Sequence, residues 1–339
     1  MKLRTITFII CIFILIQSSL VAQGTQEKAL SPQNTVSVDS SSPLSDLYQI
    51  SLEDGMVSYT DSTGIRRQIK QHPQHVVVGY NSLLDQWYFA GGTALTKVRG
   101  TSNVPAAALH LTDLGSMLSL SLEAILQLNP DLVILNAALE NQVDLAKRLR
   151  AMGIDVILID ARSHTYQSFI DTVQLFSTII GTNDSNHALT ATLEASVNKT
   201  LQKAQTQPIK PKVGILFTSS TNVFMETPQA QVGEMVSMLG GVNIINSDVK
   251  GSSDVRIPFN IEYLTQANPD CIFVSLMGDF ETTKKAFESM LYTNKAFIGL
   301  DAFKNGTIYF VPKQYGIYKP NAAYADAFNY FYEKLYESK

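Results

Sequence analysis

The chain repeats itself, and that repeat restricts its fold more than any other feature. Residues 121–134 (SLEAILQLNPDLVI) match residues 260–273 (NIEYLTQANPDCIF) at a constant offset, so that Glu123, Asn129, Pro130 and Asp131 are answered by Glu262, Asn268, Pro269 and Asp270. Gly91-Gly92 and Gly240-Gly241 end helices at corresponding places ahead of the two copies. Each copy reads as a short helix, a turn and a buried strand, so the chain holds two versions of one α/β unit. Two such units make two lobes, and the natural ligand site is the cleft between them.

The pattern around the repeat extends this reading. Strands are expected at Val76–Val78, Leu132–Leu135 and Val156–Ile159, alternating with helices over Ser82–Ala90, Leu122–Leu128 and Asp144–Met152. The alternation restarts with strands at Val213–Phe217, Cys271–Leu276 and Thr307–Val311 and helices over Gln231–Leu239, Ile261–Ala267 and Thr282–Met290. A closing helix, Asn321–Tyr336, places Tyr324, Phe328, Phe331 and Leu335 on one face, the stripe of a packed helix. Apolar strands alternating with helices form parallel sheets covered by helices, so the expected class is α/β with two Rossmann-like lobes. Between the lobes lie two helical stretches, Tyr166–Ile180 and Ser185–Gln205. The second is about 30 Å long and is expected to be the helix that joins the lobes. Ahead of everything, Tyr48–Ile50, Met56–Tyr59 and Arg66–Ile69 read as short strands, the last two separated by a turn at 61–64. The expected division is a first lobe over 48–184, a connecting helix over 185–206 and a second lobe over 207–339.

The N terminus reads as an export signal. Lys2 and Arg4 precede an apolar run from Phe8 to Ile16, and Ala22 supplies the small residue before Gln23, so residues 1–22 are a signal peptide and 23–47, rich in Ser, Gln and Thr, a flexible leader. Gln23 stands where a lipid-bearing cysteine would be needed, leaving cleavage into a periplasm or retention of the signal as a tether. With Cys11 inside the signal, Cys271 is the one remaining thiol, in an apolar run, and no internal disulfide is possible. Loss of Lys2 and Arg4 takes the net charge from −4 to −6. No basic run offers itself to phosphates, and nucleic acid is excluded as a partner.

The residues around Asp113-Leu114-Gly115, the stretch 121–134, and Glu262 to Phe273 resemble the two lobe signatures of the helical-backbone (class III) substrate-binding proteins of ABC importers for iron-siderophores, haem and cobalamin. The resemblance covers Val76 to the C terminus. It implies two rigid lobes joined by a helix, and one glutamate per lobe that docks on arginines of the membrane permease; the matching positions are Glu123 and Glu262. Paired surface carboxylates orient a carrier through charge-assisted contacts without tight binding. The plainer reading is that each acid only favours the positive end of its helix.

Ligands of doubly wound lobes meet the loops at the carboxyl ends of strands. Those loops, with residues of the elements beside them, offer Tyr80, Asn81, Trp87, Arg162 and Tyr166 from the first lobe, and Met225, Arg256, Lys313 and Tyr315 from the second. Aromatic faces suit a macrocycle or catecholate, and the cations suit carboxylates or an anionic ferric chelate. The five histidines sit in unrelated segments, so a bare metal ion is not expected as the ligand and no resident metal or cofactor is assigned. His164 is a further candidate as an axial haem ligand, against its ordinary reading as a surface residue.

No dinucleotide, Walker, nucleophile-elbow or zincin motif is present, so no enzymatic activity is expected. The expected function is a monomeric carrier in the periplasm or at the cell surface. It captures a ferric siderophore, with haem or a corrinoid as the alternative, and delivers it to the transmembrane subunits of a permease. A tetrapyrrole metal chelatase and a surface sensor that kept the fold are the rivals of another class. The export signal argues against the first, and retention of both glutamates against the second.

Overall fold

The computed structural model describes residues 47–338 apart from 162–164, 247, 248, 250, 252 and 253. The expected signal and nearly all of the leader lie outside the described residues, as do Arg162 and His164.

A three-stranded antiparallel sheet opens the described chain: β1 Ser51–Glu53, β2 Met56–Thr60 and β3 Arg66–Lys70, in the order β1-β2-β3. The first strand starts later than expected because Gln49 is left-handed (φ +48°) and turns the chain, while Tyr48 is buried with its hydroxyl 3.0 Å from Thr172 Oγ1.

The first lobe follows. β4 Val76–Val78, β7 Leu132–Asn136 and β8 Asp155–Ile159 form a parallel sheet in the order β4-β7-β8, and a short parallel pair, β5 Thr96–Lys97 with β6 Thr112–Asp113, lies beside it. Its helices are α1 Asn81–Phe89, α2 Leu122–Leu126 and α3 Glu140–Ala151. α3 begins a turn before the expected Asp144, because the polar Gln142 faces inward there and masks the hydrophobic period. The chain crosses to the second lobe through α4 Tyr166–Ile180 and α5 Asn183–Gln205, separated by Gly181 at φ +82°.

The second lobe holds β9 Lys212–Thr218, β10 Val223–Glu226, β11 Val242–Asn243, β12 Arg256–Pro258, β13 Cys271–Leu276 and β14 Ile308–Val311. The sheet order is β12-β10-β9-β13-β14, with β11 on the opening end of β9; β9, β11, β13 and β14 are parallel, and β10 folds back antiparallel. Helices α6 Gln231–Met238, α7 Ile261–Ala267, α8 Phe280–Leu291, α9 Lys295–Ile298, α10 Asp301–Lys304 and α11 Lys313–Gly316 cover it. The closing helix is α12 Tyr324–Tyr332, preceded by a tight turn over Asn321–Ala323 and followed by a wider one over Glu333–Glu337.

Strand alternation divides the interior into three layers. Val76, Val78, Leu132 and Ile134 from the first sheet join Val213, Ile215, Cys271 and Phe273 from the second in one continuous core with α1, α4, α5 and α12. The intervening residues face outward: Val77, Val133 and Leu135 under α2 and α3, and Ile272, Val274 and Leu276 under α7 and α8. Helices on both faces of each sheet explain why its inner strands read as unbroken apolar runs. α4 has eleven buried residues and packs on α1, β2 and α12; the longer α5 lies over it and over α12 with one face exposed.

The repeat has the same structure twice. Ser121 caps α2 by accepting the Ala124 amide, and Asn260 caps α7 by accepting that of Tyr263. Ile125 and Leu264 are the fully buried anchors, and Asn129 (φ +46°) and Asn268 (φ +42°) make the left-handed stop. Asp131 then accepts the amides of Gln74 and His75 at 2.6 and 2.9 Å, and Asp270 that of Lys212 at 2.7 Å. The repeated aspartate thus fastens the head of the neighbouring parallel strand in each lobe, β4 or β9. Gly91 (φ +89°) and Gly240 (φ +80°) end α1 and α6 with matching hydrogen bonds, and the following Gly92 and Gly241 leave no room for a Cβ against Trp87 and Val236. Asp131→Ala and Asp270→Ala should each lower stability by about 1–2 kcal/mol in urea unfolding; unchanged midpoints would show that the carboxylates fasten nothing.

Candidate functional site

Both sheets send their carboxyl ends toward the segment between α11 and α12. At the first lobe, Asn103 Nδ2 donates to the Lys319 carbonyl at 2.9 Å, and Lys319 Nζ donates to the Ala161 carbonyl past the end of β8. On the other side Gln231 Nε2 donates to the carbonyls of Tyr315 and Tyr318 at 2.9 and 3.0 Å. The segment between α11 and α12 is therefore hydrogen-bonded to both lobes.

The first-lobe wall is held by a buried hub that the sequence did not point out. Gln142 accepts the Asn136 amide at 2.8 Å and donates to the carbonyls of Gly79 and Met117, both at 2.9 Å. Asn136 accepts the amides of Ala138 and Ala161 at 2.9 and 3.1 Å. The ends of β4, β7 and β8 are thereby fixed to one another. Tyr80, the extended residue before α1, is half-buried here, and burial raises its phenol above the usual range.

The second-lobe wall carries the cations. Arg256 donates through Nε at 2.9 Å and Nη2 at 2.8 Å to one oxygen of Glu226, and its guanidinium lies 3.5 Å from the centre of the Phe217 ring. A stacked, doubly held guanidinium is pre-organised to meet a planar anion. Glu226 is fully buried, which pushes its carboxyl up while Arg256 pulls it back. Lys313 donates to the Gly278 carbonyl at the end of β13. Tyr315 is half-buried, 5.7 Å from the Tyr330 ring.

Several expected ligand residues are elsewhere. Trp87 is 1% exposed; it stands edge-on to Phe176 at 5.2 Å and donates to the Thr93 carbonyl, on the face of α1 that meets α4. Met225 is fully buried, pointing into the outer core of the second lobe from β10. Tyr166 packs its ring on Tyr324 and Phe328 at 5.1 and 5.6 Å, at the seam between lobes. Asn81 is buried, its carboxamide spent on the amide and carbonyl of Val98. All four sit beside strand-end loops in the chain, but their side chains face the interior. Tyr80, Arg256, Lys313 and Tyr315 remain as candidate ligand contacts.

Glu123 and Glu262 are exposed, each in the first turn of its repeat helix. The Glu123 backbone amide and then the Ser121 hydroxyl hold the Glu123 carboxyl below its usual range. A cavity of about 310 Å³ bounded by Tyr48, Asp160, Lys319 and Tyr324 lies beneath the N-terminal sheet, and none of the remaining ligand candidates lines it.

Residues 76–315 match the periplasmic binding protein family. The chain belongs to that family. It is 25% identical to the Fe(3+)-citrate-binding protein YfmC of Bacillus subtilis over 243 residues, 70% of this chain and 72% of that protein. It is 31% identical over 117 residues to the high-affinity heme uptake system protein IsdE of Staphylococcus aureus (strain Newman), a segment covering 34% of this chain and 39% of that one. The crystal structure of S. aureus IsdE with heme has the same fold, with a TM-score of 0.66 at 21% identity over 77% of this chain and 98% of that one. So has S. aureus SirA with staphyloferrin B, with a TM-score of 0.64 at 20% identity over 82% of this chain and 98% of that one. Among the described residues, no group of three or more His, Cys, Asp and Glu side chains is arranged to hold a metal ion.

Arg256→Met in this periplasmic binding protein should leave the buried Glu226 without its counter-charge and raise its carboxyl pKa further. A carboxyl raised on folding costs stability as pH climbs from the ordinary glutamate range through the folded value. Urea unfolding should therefore find the variant near wild type at pH 4.5 and most destabilised near neutrality; equal losses at both would contradict the pairing.

Proposed function

We propose that the protein is the substrate-binding component of an ABC importer, working outside the cytoplasmic membrane as a monomeric carrier. It captures an iron complex, most readily a ferric siderophore, and passes it to the permease without changing it chemically. The observation that carries this reading is the placement of Glu123 and Glu262. They are exposed carboxylates at equivalent positions of two repeated units, one on each lobe. Held on separate rigid lobes, they can meet two cationic points on a permease at once, so that each weak contact raises the effective concentration of the other.

The cleft supports an anionic, oxygen-rich chelate. Arg256 is stacked and pre-oriented, Lys313 adds a second cation on the same lobe, and Tyr80 and Tyr315 supply half-buried phenols. The relatives that carry Fe(3+)-citrate and staphyloferrin B favour the same class. Haem is the second reading, favoured by the flat faces of the tyrosines and by the likeness to IsdE.

The double reversal Glu123→Lys with Glu262→Lys should abolish iron uptake by cells that depend on this carrier, while the affinity of the purified protein for its complex stays at the wild-type value. Undiminished uptake would remove the docking role; lost affinity would show that the glutamates belong to the cleft or to the fold.

A further inference from the structure

The lobes meet along a seam whose polar contacts are set into the interior. Glu234, in the first turn of α6, accepts the Tyr166 amide at 2.9 Å, so the second lobe caps the first amide of α4. Lys319 donates to the Ala161 carbonyl and accepts from Asn103 through its own carbonyl. Asn321, buried and left-handed at φ +48°, accepts from Gln86 Nε2 at 3.1 Å and donates to Asp85 Oδ2 at 2.7 Å and the Ser82 carbonyl at 3.3 Å. Three of these contacts involve groups that can change charge, Glu234, Lys319 and Asp85.

We infer that Glu234 and Lys319 are positioning residues of this seam, and that the width of the cleft follows their protonation. The inference rests on the reading of the interlobe space as the ligand cleft. Among the described residues, the neighbours of Glu234 do little to compensate a negative charge. α4 presents Tyr166, with Glu194 of α5 behind it; α12 presents Tyr324; α11 brings Tyr315 and Lys313, the latter turned to Gly278. Lys319 faces Asp160, with Asp85 occupied by Asn321 and Asp61 held by Arg67 and Arg150, and with Tyr48 and Tyr324 in the adjoining cavity.

Burial pushes the Glu234 carboxyl up to about 7, partly offset by the Tyr166 amide. Burial pulls the Lys319 ammonium down to about 7, with Asp160 opposing. Opening the seam lets water reach each group and moves it back toward its ordinary value, 4.5 for Glu and 10.5 for Lys. Between pH 4.5 and 7, rising pH therefore works against the closed seam through Glu234. Between 7 and 10.5, rising pH favours it through Lys319. The seam is loosest near neutrality and tightens in both directions; the upper limb belongs to Lys319, and the lower to Glu234 together with Asp85, whose carboxyl is also raised by burial.

The test is a distance distribution between spin labels at Lys147→Cys on α3 and Lys285→Cys on α8, recorded on the secreted protein without ligand at pH 5, 7 and 9. The distribution should be broadest at pH 7 and narrow on both sides. Glu234→Gln combined with Asp85→Asn, whose carboxamides still accept the Tyr166 amide and Asn321 Nδ2, should lose the change between pH 5 and 7 and keep that between 7 and 9, with Glu234→Gln alone losing part of it. Lys319→Met should do the reverse, with Lys319→Gln used if the methionine variant does not fold. A purely structural role would lower thermal stability without removing either limb. A wild-type distribution that is the same at all three pH values, or a limb that survives loss of its titrating groups, overturns the inference. Because no ligand is present, that failure would leave the carrier reading untouched, and failure of ligand binding would leave the seam measurement valid.

Discussion

Burial of α4 is the constraint on which the rest of the structure depends. This helix leaves the first lobe at Tyr166, lies under α5, and is packed on one side by α1 and the N-terminal sheet and on the other by the aromatic face of α12. Its side chains belong to a core that also takes the inner faces of both sheets. Each large apolar group there contributes about 1.5–3 kcal/mol by leaving water. Wide lobe motion would break that core, so movement is confined to small adjustments at the polar seam beside it. A cleft built this way is largely formed before its ligand arrives, which limits the ordering cost of binding.

The fold was legible in the sequence because its strongest signal was duplicated. A single stretch such as 121–134 can be read as one helix and one strand; two at a constant offset define a unit with a start, a stop and a fixed neighbour. The structure gives the physical reason for each repeated letter: a capping side chain, a buried anchor, a left-handed asparagine and an aspartate that fastens the next strand. Boundaries were less legible where polar residues point inward. Gln142 hides the first turn of α3, and Gln49 moves the first strand downstream, because hydrogen-bonding partners and backbone turns decide those positions and hydrophobic period does not.

The cleft was only partly legible. Position after a strand says that a residue is near the mouth but not which way its side chain faces, and α1 shows the difference. Tyr80 stays half-buried beside the cleft, whereas Trp87, two helical turns on, is driven into the shared core by its large apolar surface. Met225 fails for the same reason on a strand. Arg256 was visible as a cation, but its orientation comes from Glu226 and Phe217, which are distant enough in sequence that no motif joins them. Glu234, Lys319 and Asn321 were not visible as a set, since they come together only where the lobes meet.

Isothermal titration of the purified protein with ferric citrate, ferric hydroxycarboxylate and catecholate siderophores, haemin and cyanocobalamin tests the central claim most directly. The account predicts saturable one-to-one binding of an iron complex, with the anionic chelates ahead of the others and a loss of affinity when Lys313 and Tyr315 are replaced by alanine. A folded protein that takes up none of these complexes would contradict it.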